Sequence, residues 1–247
     1  MRTILLLMLA ACVACTSLQS EKPMTDFTRT TLPPVEVDTT AELIAYYPSL
    51  GGGMDLVCGV MPATTDPQVA MCVEGAFTHA LLDHFEHTNI DGDHVAAGVR
   101  HAGARCKDNS GAFIYYYVGE KPVWRFVRGN YDEALNVAAA HGGMGFGQAL
   151  IVYDGQRIEP LWRKGQHFYR ALCQHRGKLC VVDSRQRVDY ATFVDELMRY
   201  GVSYALYLDM GSGWNHSWWR DARGTVHEIH LRIEKSRFCT NWVTFYR

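Results

Sequence analysis

Apolar positions along the chain fall mainly into short bounded runs. Asp55 to Pro62 alternates or runs apolar, and after turn residues at Thr64 to Pro67 a second run, Val69 to Val73, leads into Glu74-Gly75-Ala76-Phe77-Thr78. Such runs predict strands, with Glu74 at or near the end of the second. Ala112 to Val118 and Pro122 to Val127 predict a further pair joined at Gly119-Glu120, and Ala149 to Tyr153 a strand closed by a turn at Asp154-Gly155. The stretch Ala171 to Val182 predicts a hairpin. With Arg176-Gly177 as its two-residue turn, the register sets Cys173 directly opposite Cys180. Helical spacing is expected over Ala80 to Phe85, over the Ala-, Leu- and Glu-rich Tyr131 to Ala140, and over Tyr190 to Tyr200. In the last of these Phe193, Val194, Leu197 and Met198 share a face, and Gly201 stands where a helix stops. A buried-looking strand, Tyr204 to Leu208, then ends on Asp209 and enters the small-residue loop Met210-Gly211-Ser212-Gly213.

Asn89 to Gly98 has turn chemistry and reads as a loop or short strand pair. His141 to Gln148 is a glycine cluster, but no Lys-Ser/Thr pair follows and the next element is a strand, which argues against a phosphate-cradling loop. Strands and helices mixed in order predict an α+β or mixed α/β fold. The expected form is a single domain with a twisted, largely antiparallel or mixed sheet and flanking helices.

The N-terminus changes the picture of location. Met1-Arg2 precedes an apolar run, Thr3 to Ala11, too short for an ordinary membrane-spanning helix and typical of an export signal. Because the run ends Leu9-Ala10-Ala11-Cys12, it also resembles a bacterial lipobox, which would make Cys12 the lipidated first residue; the alternative is a simple signal cut near Ala14. The expected organisation is a signal over residues 1–15, an extended tether over 16–40 carrying Pro23, Pro33 and Pro34, and a domain over 41–247. The protein is then exported to the cell envelope, outer membrane or periplasm-facing, and touches membrane only through the anchor. A formal charge of −2 supplies no basic field for nucleic acid.

Eight cysteines include two in the export region; the rest lack the paired short spacing of a zinc site. Cys173 and Cys180 are either a disulfide or two buried thiols. His79, His84, His87, His94, His101 and His141 read as scattered histidines, so neither a metal nor a cofactor is expected. His94, after Asp91-Gly92-Asp93, is kept as a candidate acid, base or phosphate ligand.

Four segments in order resemble the phosphodiester glycosidase family, to which the lysosomal uncovering enzyme belongs. They are Glu74-Gly75-Ala76-Phe77-Thr78, the run from Gly145 through Gln148 to Gly155, Arg170-Ala171-Leu172, and Tyr207-Leu208-Asp209-Met210-Gly211-Ser212-Gly213. The family pattern has Asn where this chain has Glu74, Gly where it has Met210 and Thr where it has Ala171, and these departures fall at the presumed site.

The resemblance implies an exported, lipid-anchored hydrolase that cleaves a sugar from a glycosyl phosphodiester or related glycoconjugate. The alternative is a non-catalytic glycan-binding lipoprotein with the same fold. The partner in either case is a glycan or sugar phosphate. Such chemistry needs carboxylates for proton transfer and a cation for the phosphate. Arg170 is cast as that cation, or as a structural salt bridge to Glu74 or Asp209. Asp209 is base, nucleophile or sugar-hydroxyl acceptor, or caps its own turn. Glu74 is a general acid or an exposed turn residue. Gln148, Gly211, Ser212, Trp214, Asn215 and His216 are cast as substrate-binding, with Trp214 to Trp219 as a carbohydrate wall or, for part of it, core.

Overall fold

Positive backbone φ at both Arg176 (50°) and Gly177 (74°) gives the two-residue turn whose twist matches flanking strands. Around it β12 (Arg170–His175) and β13 (Lys178–Ser184) pair antiparallel with Cys173 opposite Cys180, the register expected from sequence. This hairpin is the middle of a seven-stranded sheet. Its order is β1 (Val35–Thr39), β2 (Leu43–Pro48), β13, β12, β14 (Val202–Tyr207), β10 (Leu150–Tyr153) and β11 (Gln156–Arg157). The computed structural model describes residues 33–77, 90–103, 109–158, 164–210, 216–230 and 239–247.

A second sheet runs β16 (Val226–His230), β15 (Ser217–Arg220), β4 (Val69–Glu74), β17 (Asn241–Tyr246), β3 (Met54–Cys58). A third runs β6 (Val99–His101), β5 (His94–Ala96), β9 (Met144–Gln148), β7 (Gly111–Val118), β8 (Lys121–Arg128). Pairings in all three are antiparallel. Strand takes up 51% of the described residues and helix 11%, which overturns the α+β or mixed α/β expectation: this is a β-rich fold of three antiparallel sheets. The described helices, α1 (Asp132–Ala140) and α2 (Tyr190–Tyr200), each cover one sheet face.

The miss has a physical cause. Alternate residues of the first sheet face different cores. Leu172, Val181 and Leu206 join Met71, Val73 and Phe245 of the second sheet and Phe113 and Phe146 of the third. Ala171, Cys173, Val182 and Ala205 pack instead under Phe193, Val194 and Leu197 of α2. A strand buried on both faces reads as a continuous apolar run, the signature shared with parallel α/β sheets.

Two further expectations shift. The segment read as a tether contains β1, so the first sheet begins at Val35. The glycine cluster, to which no strand was assigned, contains β9, in which Met144 to Gln148 are all buried. A Cβ at Gly147 would stand 2.2 Å from Tyr131 Oη and one at Gly145 would stand 2.8 Å from Ile114 Cγ2. These glycines let a central strand lie close against Tyr131 and β7. Helix α2 begins where Asp189 accepts from Thr192 N at 2.8 Å and ends at left-handed Gly201, close to the expected bounds. The expected helix over Ala80 to Phe85 lies outside the described residues.

Candidate functional site

The hairpin register that pairs Cys173 with Cys180 also sets Arg170 opposite Asp183. Closing at His175 and Lys178, the hairpin alternates hydrogen-bonded and non-hydrogen-bonded pairs. Cys173/Cys180 therefore falls in the wider hydrogen-bonded row and Arg170/Asp183 in the row where side chains stand closer. Both cysteines are free thiols, so the disulfide candidate is corrected to two buried thiols. Burial pushes Cys180 up to about 12 and raises Cys173 well above its ordinary value.

Arg170 shares a face with Leu172 and so points into the core common to the sheets, where its exposure is 0%. Its Nε and Nη2 donate to the two Asp183 carboxylate oxygens at 2.7 Å each, a fork-on-fork pair. Nη1 donates to Glu74 Oε2 at 2.9 Å and bonds Ser217 Oγ. Burial works against the guanidinium charge, but Asp183 and Glu74 hold the proton, and its affinity is raised overall. Of the two roles weighed for Arg170, the geometry is that of the structural salt bridge, made to Glu74 and Asp183.

Glu74 ends β4, 3% exposed. Besides Arg170 it accepts from the Ser217 hydroxyl, the His216 main-chain N–H and, at 3.8 Å, the Cys239 thiol. Every one of these partners is a donor, the surroundings of an acceptor carboxylate and not of a group placed to release a proton. The exposed-turn alternative fails with its burial. Past Glu74 the chain is pinned: Ala76 N donates to Asn241 Oδ1 at 2.7 Å and Asn241 Nδ2 returns a bond to Ala76 O at 2.9 Å. A Cβ at Gly75 would stand 2.6 Å from that Asn241 Oδ1, so this close approach needs glycine.

Asp209 follows β14 by two residues. Leu208 N donates to the Arg170 carbonyl at 3.0 Å and Asp209 N to the Gly75 carbonyl at 2.9 Å, which sets Asp209 beside Glu74. The Cys239 thiol records both carboxylates: burial first, then Glu74 and Asp209, push its proton affinity up. Asp209 is half-buried, unlike Glu74 and Arg170.

Gln148 reaches the same end of β14 through its neighbour, since Tyr207 N donates to Ala149 O at 2.8 Å. It is fully buried; Oε1 accepts from Ala149 N at 3.1 Å while Nε2 has no hydrogen-bond partner. His216 lies at the cluster through its main chain, with Nε2 3.7 Å from Glu228 Oε1.

His94 is not part of this cluster. It sits on β5 of the third sheet, with Nδ1 3.2 Å from Gly92 O and its ring stacked 5.2 Å from His101. Gly211, Ser212, Trp214 and Asn215, cast as substrate-binding, and Cys12, cast as the lipidated residue, lie outside the described residues. Trp218 is buried in core, while Trp219 is half-buried and stacks on His227 at 4.5 Å. Asp183, Ser217, Asn241 and Cys239 were missed; for Asp183 the hairpin register carried the signal. Among the described residues no group of three or more His, Cys, Asp or Glu side chains is placed to hold a metal, and no helix is long and apolar enough to cross a membrane.

No protein-family model and no curated protein matches the chain. Among solved structures it is similar to the catalytic domain of zebrafish N-acetylglucosamine-1-phosphodiester alpha-N-acetylglucosaminidase, auto-inhibited by its pro-peptide. The TM-score is 0.55 at 8% sequence identity, over 87% of this chain and 82% of that one. At that identity the likeness is one of fold.

Proposed function

We propose that the domain is a phosphodiester glycosidase-like hydrolase, releasing a sugar from a glycosyl phosphodiester or a related glycoconjugate. The observation that carries this reading is the pairing of Asp209 with Glu74: a half-exposed carboxylate at a strand tip, held through its main chain beside a buried one. Asp209 is the base, nucleophile or hydroxyl acceptor. Glu74, locked by Arg170 and Ser217, positions the Gly75 to Phe77 segment that holds Asp209. The unpartnered Gln148 Nε2 is a donor for a sugar or phosphate oxygen. The likeness of fold to a domain that acts on a phosphodiester of N-acetylglucosamine supports the substrate class. The Met1 to Cys12 pattern supports export and lipid anchoring.

One observation favours a second reading, a glycan-binding lipoprotein without turnover. Arg170, the cation the sequence offered for a phosphate, is buried and occupied by two carboxylates. The full chain, offered a panel of synthetic sugar 1-phosphodiesters, separates the readings. Sugar release that Asp209→Asn abolishes supports the hydrolase. Saturable binding without release transfers the site to the second reading, and neither binding nor release defeats both.

A further inference from the structure

Past Glu74 the main chain of Gly75 and Ala76 offers four polar groups, and Asn241 holds three of them. Gly75 N donates to the Asn241 carbonyl at 3.3 Å, Ala76 N to Asn241 Oδ1 at 2.7 Å, and Asn241 Nδ2 returns a bond to the Ala76 carbonyl at 2.9 Å. The fourth group, the Gly75 carbonyl, accepts from Asp209 N at 2.9 Å. Asn241 opens β17 and is 2% exposed. Facing an N–H at one end and a carbonyl at the other, its amide has only one orientation that satisfies both, and Nδ2 also reaches Thr240 Oγ1 at 3.3 Å.

The β4–β17 register ends at Trp242 opposite Glu74. Beyond that pair the Asn241 side chain makes to Ala76 the donor and acceptor bonds that a facing strand residue would make, so the segment is held as if the ladder continued. We propose that Asn241 is a positioning residue for the candidate site: by fixing the Gly75–Ala76 main chain it aims the Gly75 carbonyl at the Asp209 amide, and so sets where the Asp209 carboxylate stands.

The chain around Asp209 hangs between two sheets. Leu208 N is bonded to the carbonyl of Arg170 in the first sheet at 3.0 Å, and Asp209 N to Gly75, the residue that follows β4 of the second. The first anchor belongs to β12, paired with β13 on one side and β14 on the other, while the second rests on the Asn241 amide. The carboxylate carbon of Asp209 is two bonds from its Cα, so a shift of that peptide moves the reacting oxygens with it. Misplacing a reacting group by about 1 Å costs on the order of 10²-fold in rate. The placement stands on hydrogen bonds alone; its effect on turnover rests on the hydrolase reading.

Amide exchange of the full-length protein tests the placement without any substrate. In Asn241→Ala the Asp209 amide is expected to lose several-fold more protection than the amides of Leu172 and Val181 in the central hairpin. An equal loss at all three means that Asn241 only stabilises the fold, and overturns the positioning role; so does unchanged protection at Asp209. Turnover tests the consequence. With a synthetic sugar 1-phosphodiester, kcat of Asn241→Ala is expected to fall about 10²-fold while KM changes little. A variant that keeps the kcat of an active wild type overturns the proposal and leaves the hydrolase reading standing. A wild type that releases no sugar defeats the hydrolase reading, and exchange at Asp209 still decides the placement. Should Asn241→Ala fail to fold, Gly75→Ala keeps every hydrogen-bonding group and sets a methyl 2.6 Å from Asn241 Oδ1. The same selective loss at Asp209 is expected there, and its absence overturns the proposal.

Discussion

Arg170 and Asp183 form a fork-on-fork ion pair across two strands, with Nε to Oδ1 and Nη2 to Oδ2 both at 2.7 Å and both side chains 5% exposed or less. A guanidinium so enclosed has no vacant face for a substrate, and its second carboxylate, Glu74, ties the first sheet to the second. The arrangement is a joint between sheets on which the candidate site is mounted.

Breaking that joint from one side leaves a buried charge without its partner. Asp183→Ala is expected to destabilise by about 3–5 kcal/mol, read as a lower urea midpoint at unchanged slope. A loss below about 1 kcal/mol, the range of exposed pairs, contradicts the joint.

Asp209→Asn removes the half-buried carboxylate and keeps its shape. Stability is expected to stay within about 0.5 kcal/mol, while sugar release falls by about 10²–10⁴-fold. Undiminished release measured on the same phosphodiester panel removes Asp209 from the chemistry.

Gly147→Ala places a methyl 2.2 Å from Tyr131 Oη and 2.4 Å from Cζ. Overpacking of this kind costs about 1–3 kcal/mol. Adding Tyr131→Phe, which removes the nearest atom, is expected to recover part of the lost melting temperature. A neutral Gly147→Ala shows that β9 does not need the close approach.

The buried thiols set an alkaline limit. Cys180 is raised from 9.0 to about 12 by burial, so the folded chain keeps a proton that the unfolded chain releases. The stability this contributes is intact below pH 9 and is lost as pH rises through the window from 9 toward 12. Urea midpoints across that window are expected to fall less steeply in Cys180→Ala. In native protein at pH 8 Cys173 and Cys180 are expected to resist alkylation and to show no disulfide mass shift.

Legibility followed the range of the interactions involved. The Arg176-Gly177 turn, the pairing of Cys173 with Cys180 and the stop of α2 at Gly201 depend on neighbours in sequence and were readable. The same register held the Arg170–Asp183 pair, one arithmetic step further along the hairpin. Trp214 to Trp219 were weighed as a carbohydrate wall or, in part, core, and Trp218 is core on β15; strands β16 and β17 were not assigned from the sequence. His94 attracted interest for its turn-rich flank, and only pairing with β6 and β9 shows it in another sheet.

Local chemistry in the chain determined where strands turn, how one hairpin registers and which acids stand at strand ends, because backbone dihedral preferences and period-two patterning act over a few residues. Tertiary structure decided that the sheets are antiparallel and that Arg170 points inward to two carboxylates. It also decided that Asp209 rests on Gly75, more than 130 positions away in the chain. Those outcomes depend on which apolar faces find each other, and an isolated run of buried residues is compatible with more than one partner.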